Sequence, residues 1–313
     1  MTGGDQWSAG VGRRSITPEG PIWLAGFGTR TRPSEAVLHD IHVNAFALQA
    51  GNDQVFLLIS ADILGFSRCM CDQIRQRIFH SHRLDTTHIF LSATHNHSCP
   101  VNTGVIPMIY NLGGDEAEKV DRYTAWMLQQ IHDAACDALD NLFPAALEFG
   151  QGFAGFGVNR RRVRPGCRDL PGPVDQDVPV LMIRSISGEL RGLIYGFACH
   201  TTALAGYFVS ADFPGFTRQV LEESYPDLIS AFIPGCGGDI NPLPRGSVDR
   251  AKCHGSLLAE TVLDVIADQH PPFGSGIERR ILKSIDELGD PASGTRRTTP
   301  PIAKRYCPGT TAK

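Results

Sequence analysis

Four short apolar, β-prone runs in this chain each stop abruptly at a polar cluster, and that repetition constrains the fold more than any other feature. Residues 55–60 end at Asp62, and 88–91 run into Thr94-His95-Asn96-His97. Residues 193–199 run into His200-Thr201-Thr202, and 228–233 run into a glycine-rich segment that carries Asp239 and Asn241. Runs of this length bounded by turn residues read as core strands. The first of them pairs with 41–48 as a hairpin across Gly51-Asn52-Asp53. Helical patterns lie between the strands. Phe66, Met70, Ile74 and Ile78 recur every fourth residue, 115–142 places apolar residues three, four or seven apart, a short helix follows Ser210 to about Tyr225, and 249–268 carries the last. The alternation predicts an α/β fold, with two mixed β-sheets layered with helices around one core.

In such layers ligands bind where strands end, so the polar clusters are expected to meet in one site. In an extended segment His95 and His97 point the same way. They offer two nitrogens to one metal ion, or one as ligand and the other as proton carrier. His200 supplies a third imidazole at another strand end. Three histidines with carboxylates nearby form a zinc inventory: three protein ligands suffice if water takes the fourth position, and zinc brings the pKa of that water to about 7. Hydrolysis is the reaction such a set suits best.

Other positions admit two readings. Asp62 caps a helix or belongs to the site. Gly26 and Gly28 mark a site loop or a plain turn. Arg160, in a run of three arginines, is solvated or uses its fork of donors on a carboxylate or carbonyl. The glycines at 235, 237 and 238 form a turn or a nest of amides for an anion. His132 reads as a surface residue of the long helix. The loop 101–114, with Asn102, Thr103 and Tyr110, can wall a pocket, and Cys236 beside a histidine is a thiol-based alternative.

Composition removes several classes of function. A net charge of -4 and the lack of any Lys/Arg-rich block beyond 160–162 argue against a nucleic-acid partner. No stretch of 18 apolar residues and no leader-like N-terminus is present, which predicts no transmembrane segment and a cytoplasmic protein. Nine scattered cysteines without a C-x-x-C predict reduced thiols. The chain divides into a catalytic domain over 1–272 and a polar, Gly/Pro/Thr-rich, disordered tail over 273–313.

Ser92 to Pro100, Asn159-Arg160, Ala198 to Thr202 and Gly237 to Pro242, in this order, resemble the N-terminal catalytic domain of the neutral/alkaline non-lysosomal ceramidases. Ile16-Thr17-Pro18 and Ser210-Ala211-Asp212 fit as well, and the likeness spans about residues 9–270. The resemblance implies one catalytic zinc, with His95 and His200 as ligands, His97 as a neighbouring catalytic histidine and Arg160 in the substrate pocket. It also implies cleavage of a linear N-acyl amide in a small or lipid-like substrate. Two departures modify it. Asn241 stands where these ceramidases carry serine, which moves the attack from a side chain to water. The family's glutamate and tyrosine ligands have no counterpart here, so either Asp212, Asp239 or a partner completes the zinc shell, or the chain is truncated and inactive. On this reading His97, Arg160, Asp239 and Asn241 are catalytic, and His95, His200 and Asp212 hold the metal. The alternative is a catalytically inactive relative that binds a lipid or small molecule.

Overall fold

The computed structural model describes residues 7–110, 112–161 and 172–268. In chain order its elements are β1 (Trp7–Ser15), β2 (Ala36–Val37), β3 (His42–Ala50), β4 (Phe56–Ala61), α1 (Arg68–His82), β5 (Ile89–Ala93), α2 (Gly114–Asp140), β6 (Phe143–Phe153), β7 (Gly157–Asn159) and β8 (Asp177–Ser185). They continue as β9 (Leu190–Phe197), β10 (Phe208–Val209), α3 (Asp212–Ser224), β11 (Ile229–Pro234), β12 (Ile240–Pro242) and α4 (Val248–Ala267). The expected hairpin is β3–β4, and the expected helices are α1 to α4.

Eight strands hydrogen-bond in the order β11-β9-β8-β6-β1-β3-β4-β5, while β10–β2 and β12–β7 form two small ladders. The pairs β4–β5 and β9–β11 are parallel and the other pairs of the large sheet antiparallel. The mixed strands thus arise as anticipated. Their layering has a specific cause. β1 and β6 pair over only Trp7–Ala9 and Phe143–Ala145, so the sheet divides there into two wings. Ala9 and Phe46 of one wing share a buried cluster with Ala145, Leu147, Ile183 and Ala231 of the other. The wings therefore fold face to face, and Ser60 Oγ on β4 donates to Phe232 O on β11 at 2.9 Å.

Helices cover the two outer faces. Ile74, Ile78, Met127 and Ile131 of α1 and α2 bury against Val43, Ala45, Leu57 and Ile59. Phe213, Leu221, Leu258 and Val262 of α3 and α4 bury against Val180, Met182, Leu193 and Tyr195. Each such aliphatic or aromatic side chain contributes roughly 1.5–3 kcal/mol by leaving water. α2 lies directly on bare backbone: a Cβ at Gly10 or Gly12 would stand 1.9 or 2.1 Å from the carbonyl oxygen of Ala138 or Ala134. Helix and strand approach that closely because both surfaces are made of glycine and alanine.

Three expectations change. Asp62 is not the cap of α1. Ser67 caps α1 by accepting from Met70 N at 3.3 Å, and Asp62 Oδ2 accepts from Arg218 Nη1 at 2.8 Å and from His42 N at 2.9 Å in a buried ion pair. The cysteines are not uniformly reduced: Cys69, Cys71, Cys99, Cys136, Cys199 and Cys236 are free, whereas Cys253 is disulfide-bonded. The third concerns the glycine-rich segment and is taken up with the site. The tail expected over 273–313, and most of the loop after Arg161, lie outside the described residues. Among the described residues no helix is long and apolar enough to cross a membrane.

Candidate metal centre

The C-terminal ends of the two parallel pairs, β4–β5 and β9–β11, meet where the wings face each other, because the segments that follow them are stitched together. Thr201 Oγ1 donates to Thr94 O at 2.9 Å and to His95 O, and the His200 amide donates to Ile240 O at 3.0 Å. These bonds bring His95, His97 and His200 together from sites more than a hundred residues apart in sequence. Their ring centroids lie 5.1, 4.6 and 5.2 Å apart for the pairs 95–97, 95–200 and 97–200. One nitrogen from each falls within 4.8 Å of the others.

Two backbone carbonyls fix which nitrogens face inward. His95 Nδ1 lies 3.0 Å from Leu64 O, and His200 Nδ1 lies 3.0 Å from Gly237 O. A carbonyl can only accept, so each Nδ1 carries the proton and each Nε2 presents a lone pair. The two Nε2 atoms stand 3.1 Å apart. Two neutral imidazoles that aim lone pairs at each other repel, and a cation between them removes the repulsion. Zinc–nitrogen bonds of about 2.0–2.1 Å at a tetrahedral angle place nitrogens about 3.3 Å apart, close to this spacing. His97 completes the fit, since both its ring nitrogens are buried without a hydrogen-bond partner. Burial lowers the pKa of all three, that of His97 to about 3, so all three present neutral nitrogens at pH 7. The neighbouring Arg160 adds to the effect at His95 and His200, and Arg30 at His97.

A second set of residues holds His97 in place. Arg30, 6 % exposed, donates to Ala25 O, to His97 O at 2.9 Å and to Gly206 O at 2.9 Å, joining three loops with one guanidinium. Phe27 meets the His97 ring edge to face at 5.1 Å. Gly26 sits at φ +90°, and a Cβ there would stand 2.4 Å from the His97 ring. Tyr110 Oη accepts from the Gly26 amide at 2.9 Å, so the loop 101–114 does form part of the wall. Gly28 has ordinary space beside it, so of the two glycines only Gly26 belongs to the site. Arg30 went unnoticed in the sequence because a lone arginine in a loop carries no pattern.

The glycine-rich segment after β11 does not form an amide nest. Its amides at Gly235, Gly237 and Ile240 bond to Phe197 O, Gly235 O and Gly237 O. Carbonyls face the site instead: Gly237 O receives His200, and Gly238 O receives Arg160 Nη2 at 2.7 Å. Arg160 Nη1 also approaches Asn241 Oδ1 at 3.5 Å. A guanidinium can only donate, which assigns Oδ1 to that side and leaves the Asn241 Nδ2 hydrogens for another acceptor. Asp239 turns away from the histidines. Its Oδ2 accepts from Asn159 Nδ2 at 2.9 Å, and its backbone O accepts from Arg160 N at 2.7 Å, so it positions Arg160.

Asp212 also stands apart from the three-histidine group. Fully buried at the start of α3, it accepts from Ala203 N, Leu204 N and Phe213 N at 3.0, 2.9 and 2.7 Å. Two of these three bonds go to the loop that follows His200 and one to its own neighbour in α3. Burial raises its pKa to about 6 against these bonds. Burial pushes the Cys99 thiol up to about 12 and raises that of Cys199 as well, which disfavours both thiolates, whereas Cys236 is exposed.

No family model and no curated protein matches the sequence. Solved structures do. The crystal structure of neutral ceramidase from Pseudomonas aeruginosa superposes with a TM-score of 0.72 at 19% identity over 84% of this chain and 45% of that one. A ceramidase complexed with C2 gives the same TM-score and identity over 84% and 44%. This chain therefore spans less than half the length of the ceramidases it matches. At this identity the likeness speaks for the fold, and it agrees with the motif resemblance: over most of its length the chain has the neutral-ceramidase fold.

Proposed function

We propose that this chain is the catalytic domain of a zinc-dependent hydrolase of C–N amide bonds and that it acts on a linear N-acyl substrate of ceramidase type. The observation that carries the proposal is the pair of Nε2 lone pairs at 3.1 Å, each fixed by a carbonyl behind its ring. Such an arrangement is costly without a cation and favourable with one. The neutral-ceramidase fold supports the substrate class, since the structures it matches are ceramidases. In this reading His95, His200 and His97 hold the metal. His97 takes the place that the sequence pattern had suggested for Asp212, whose oxygens are occupied.

Zinc held by His95, His97 and His200 would supply a Lewis acid and would lower the pKa of a bound water to about 7. The protein's own groups do the rest. Leu64 O and Gly237 O hold the ring tautomers, as carboxylates and carbonyls behind metal-binding histidines do. The Asn241 amide, oriented by Arg160, points hydrogens at an acceptor, which suits a substrate carbonyl oxygen as it gains negative charge. Arg160 adds a fixed positive charge beside the same place. Asn241 cannot accept an acyl group, so cleavage proceeds without an acyl-enzyme.

Metal analysis combined with an activated N-acyl amide assay tests the reading. Zinc bound in wild type, lost together with hydrolysis in His95→Ala and His200→Ala, supports it. A chain that binds a lipid amide with no zinc and no turnover is instead an inactive relative that keeps the pocket. A stoichiometric burst, with a mass increase equal to the acyl group, overturns the water mechanism.

A further inference from the structure

We propose that this site takes N-acyl amides whose amine part carries an anionic group, a carboxylate or its equivalent, and that Arg245 together with Arg160 binds that group beside the metal centre. The proposal rests on the hydrolase reading for the amide itself and adds the charge of the group next to it. Two neighbouring segments carry the residues concerned. The His200 amide donates to Ile240 O at 3.0 Å, and the Gly246 amide donates to Ala203 O at 2.7 Å. Residues 200–203 therefore run beside 240–246, with His200 and Thr202 on one segment and Asn241 and Arg245 on the other. Arg160 is fastened at the start of this stretch, where its amide donates to Asp239 O at 2.7 Å. Arg245 lies toward the other end, where its Nη1 donates to Thr202 Oγ1 at 3.4 Å, two residues past His200. Asn241, whose free amide hydrogens suit a substrate carbonyl, comes between the two arginines along the stretch.

The turn that presents Arg245 is held in place. An exposed arginine in a run such as Pro242-Leu243-Pro244-Arg245-Gly246 is ordinarily a solvated side chain on a loose loop. Here three bonds fix the backbone around it. The buried His254 of α4 lies with Nε2 2.7 Å from Pro244 O, Arg250 Nη1 donates to Arg245 O at 2.8 Å, and the Gly246 amide is taken by Ala203 O. A ligand that meets Arg245 therefore has no loop to order first, which removes one of the costs of binding.

Both guanidinium groups have unused donors. Arg160 Nη2 and Nη1 go to Gly238 O and Asn241 Oδ1, and its Nε is buried without a partner. Among the described residues neither Arg160 nor Arg245 meets a carboxylate, whereas Arg184 and Arg218 pair with Glu148 and Asp62 at 2.9 and 2.8 Å. The acidic groups near them are engaged elsewhere. Asp239 Oδ2 accepts from Asn159, and Asp212 accepts from three amides. The charges of the two arginines reach the same ground: both add to burial in lowering the pKa of His200, and that of Arg160 is lowered by burial and then by Arg161 and Arg245. Like charges held this close repel, and an anion between them relieves the repulsion. A neutral hydroxylated group that displaced water here would leave both cations unpaired, so the site discriminates against it. A carboxylate instead matches the fixed fork of a guanidinium.

N-octanoylglycine and its methyl ester, which differ in the charge beside the amide, test the clamp. Isothermal titration calorimetry is run on the full chain carrying His95→Ala/His200→Ala, so that no carboxylate binds by ligating a metal there and no turnover consumes the ligand. Circular dichroism checks that this variant is folded, and wild type stripped with a chelator takes its place if it is not. We expect the acid to bind at least tenfold more tightly than the ester, with a difference that shrinks as salt is raised. Adding Arg245→Gln, a change at an exposed side chain, should remove most of the difference, and Arg245→Lys should restore part of it. Turnover of the two compounds by the zinc-loaded wild type reads the hydrolase proposal separately: selective binding without hydrolysis of either compound refutes that proposal and supports the clamp. Equal affinities for acid and ester, or a preference that persists undiminished in Arg245→Gln, overturns the clamp.

Discussion

Gly26→Ala is the substitution whose consequences the geometry defines most sharply. Gly26 adopts φ +90°, where an L-residue with a Cβ costs about 1–2 kcal/mol. The added methyl would stand 2.4 Å from both Cγ and Nδ1 of His97 and 2.7 Å from its Cβ. Ordinary carbon contacts lie at 3.5–4.0 Å, so the ring must move by about 1 Å or more. Overpacking of that kind costs roughly 1–3 kcal/mol. The sum is about 2–5 kcal/mol, which lowers the melting temperature by on the order of 10 °C in a domain of this size. The displaced ring is also one of the three proposed metal ligands, so zinc affinity should fall at least 100-fold. Gly28→Ala is the control: its Cβ would lie 3.4 Å from Ile109 O at an ordinary φ, and the loss of unfolded-state freedom should leave stability unchanged or raise it by up to about 1 kcal/mol. Thermal melts and competition with a zinc chelator read both variants. If Gly26→Ala melts with the wild type and keeps its zinc affinity, then His97 is not held by the close approach of this loop, and its place among the ligands falls with that.

His95→Ala and His200→Ala should each remove zinc from the central site while the melt in chelator stays close to wild type, because residues beyond strand ends contribute little to the core; full zinc occupancy in both would sink the assignment. His97→Ala should weaken zinc as a ligand loss does, whereas full zinc with a rate 10²- to 10⁴-fold lower would make it a proton carrier. Asn241→Ala should lower kcat about 100-fold on an activated N-acyl amide, and an unchanged kcat would remove the amide from the reaction. Asp212 is raised to about 6 from an unfolded value near 3.9, so its contribution to stability is present below pH 4 and is lost as pH rises through 6, by roughly 3 kcal/mol. His39 and His42, both lowered to about 4 by burial, act the other way: their contribution is present above 6.5 and lost as pH falls through 4. The difference between wild type and Asp212→Asn in urea melts from pH 4 to 7 isolates the first slope, and identical slopes would refute it.

The strands, the helices and the three histidines were legible because each rests on a local signal: periodicity for α1 and α2, and an apolar run stopped by polar residues for β4, β5, β9 and β11. What could not be read was direction. The segment after β11 has the composition of an amide nest, yet its amides at Gly237 and Ile240 close its own turn, that of Gly235 goes to Phe197 O, and its carbonyls at Gly237 and Gly238 face His200 and Arg160. Composition does not say which way a peptide plane turns. Asp212 has the residue type and position of a ligand, and three amides claim it, two from the loop after His200 and one from the next residue. Asp62 ends a strand as the site residues do, but Arg218, 156 positions away, decides its role.

The same long-range partners explain how the centre tolerates its strain. His95 and Asp212 both sit at φ 55°, a left-handed conformation that costs a non-glycine residue about 1–2 kcal/mol. At each position neighbouring groups leave the backbone no alternative. His95 is held at its ring by Leu64 O and at its carbonyl by Thr201 Oγ1, which itself follows His200. Asp212 is held by three amides, one of them its neighbour's and two from the loop after His200, while its own amide donates to Ser210 Oγ at 3.0 Å. Asn96, between the two histidines of the first loop, donates from Nδ2 to Ser210 O. The strained turn after β5 and the strained turn at the start of α3 are therefore tied to each other as well as to β9. Strain of this kind persists where the surroundings over-determine it. Here those surroundings come from both wings of the sheet, so the Nε2 atoms of His95 and His200 keep their spacing only while the wings stay face to face.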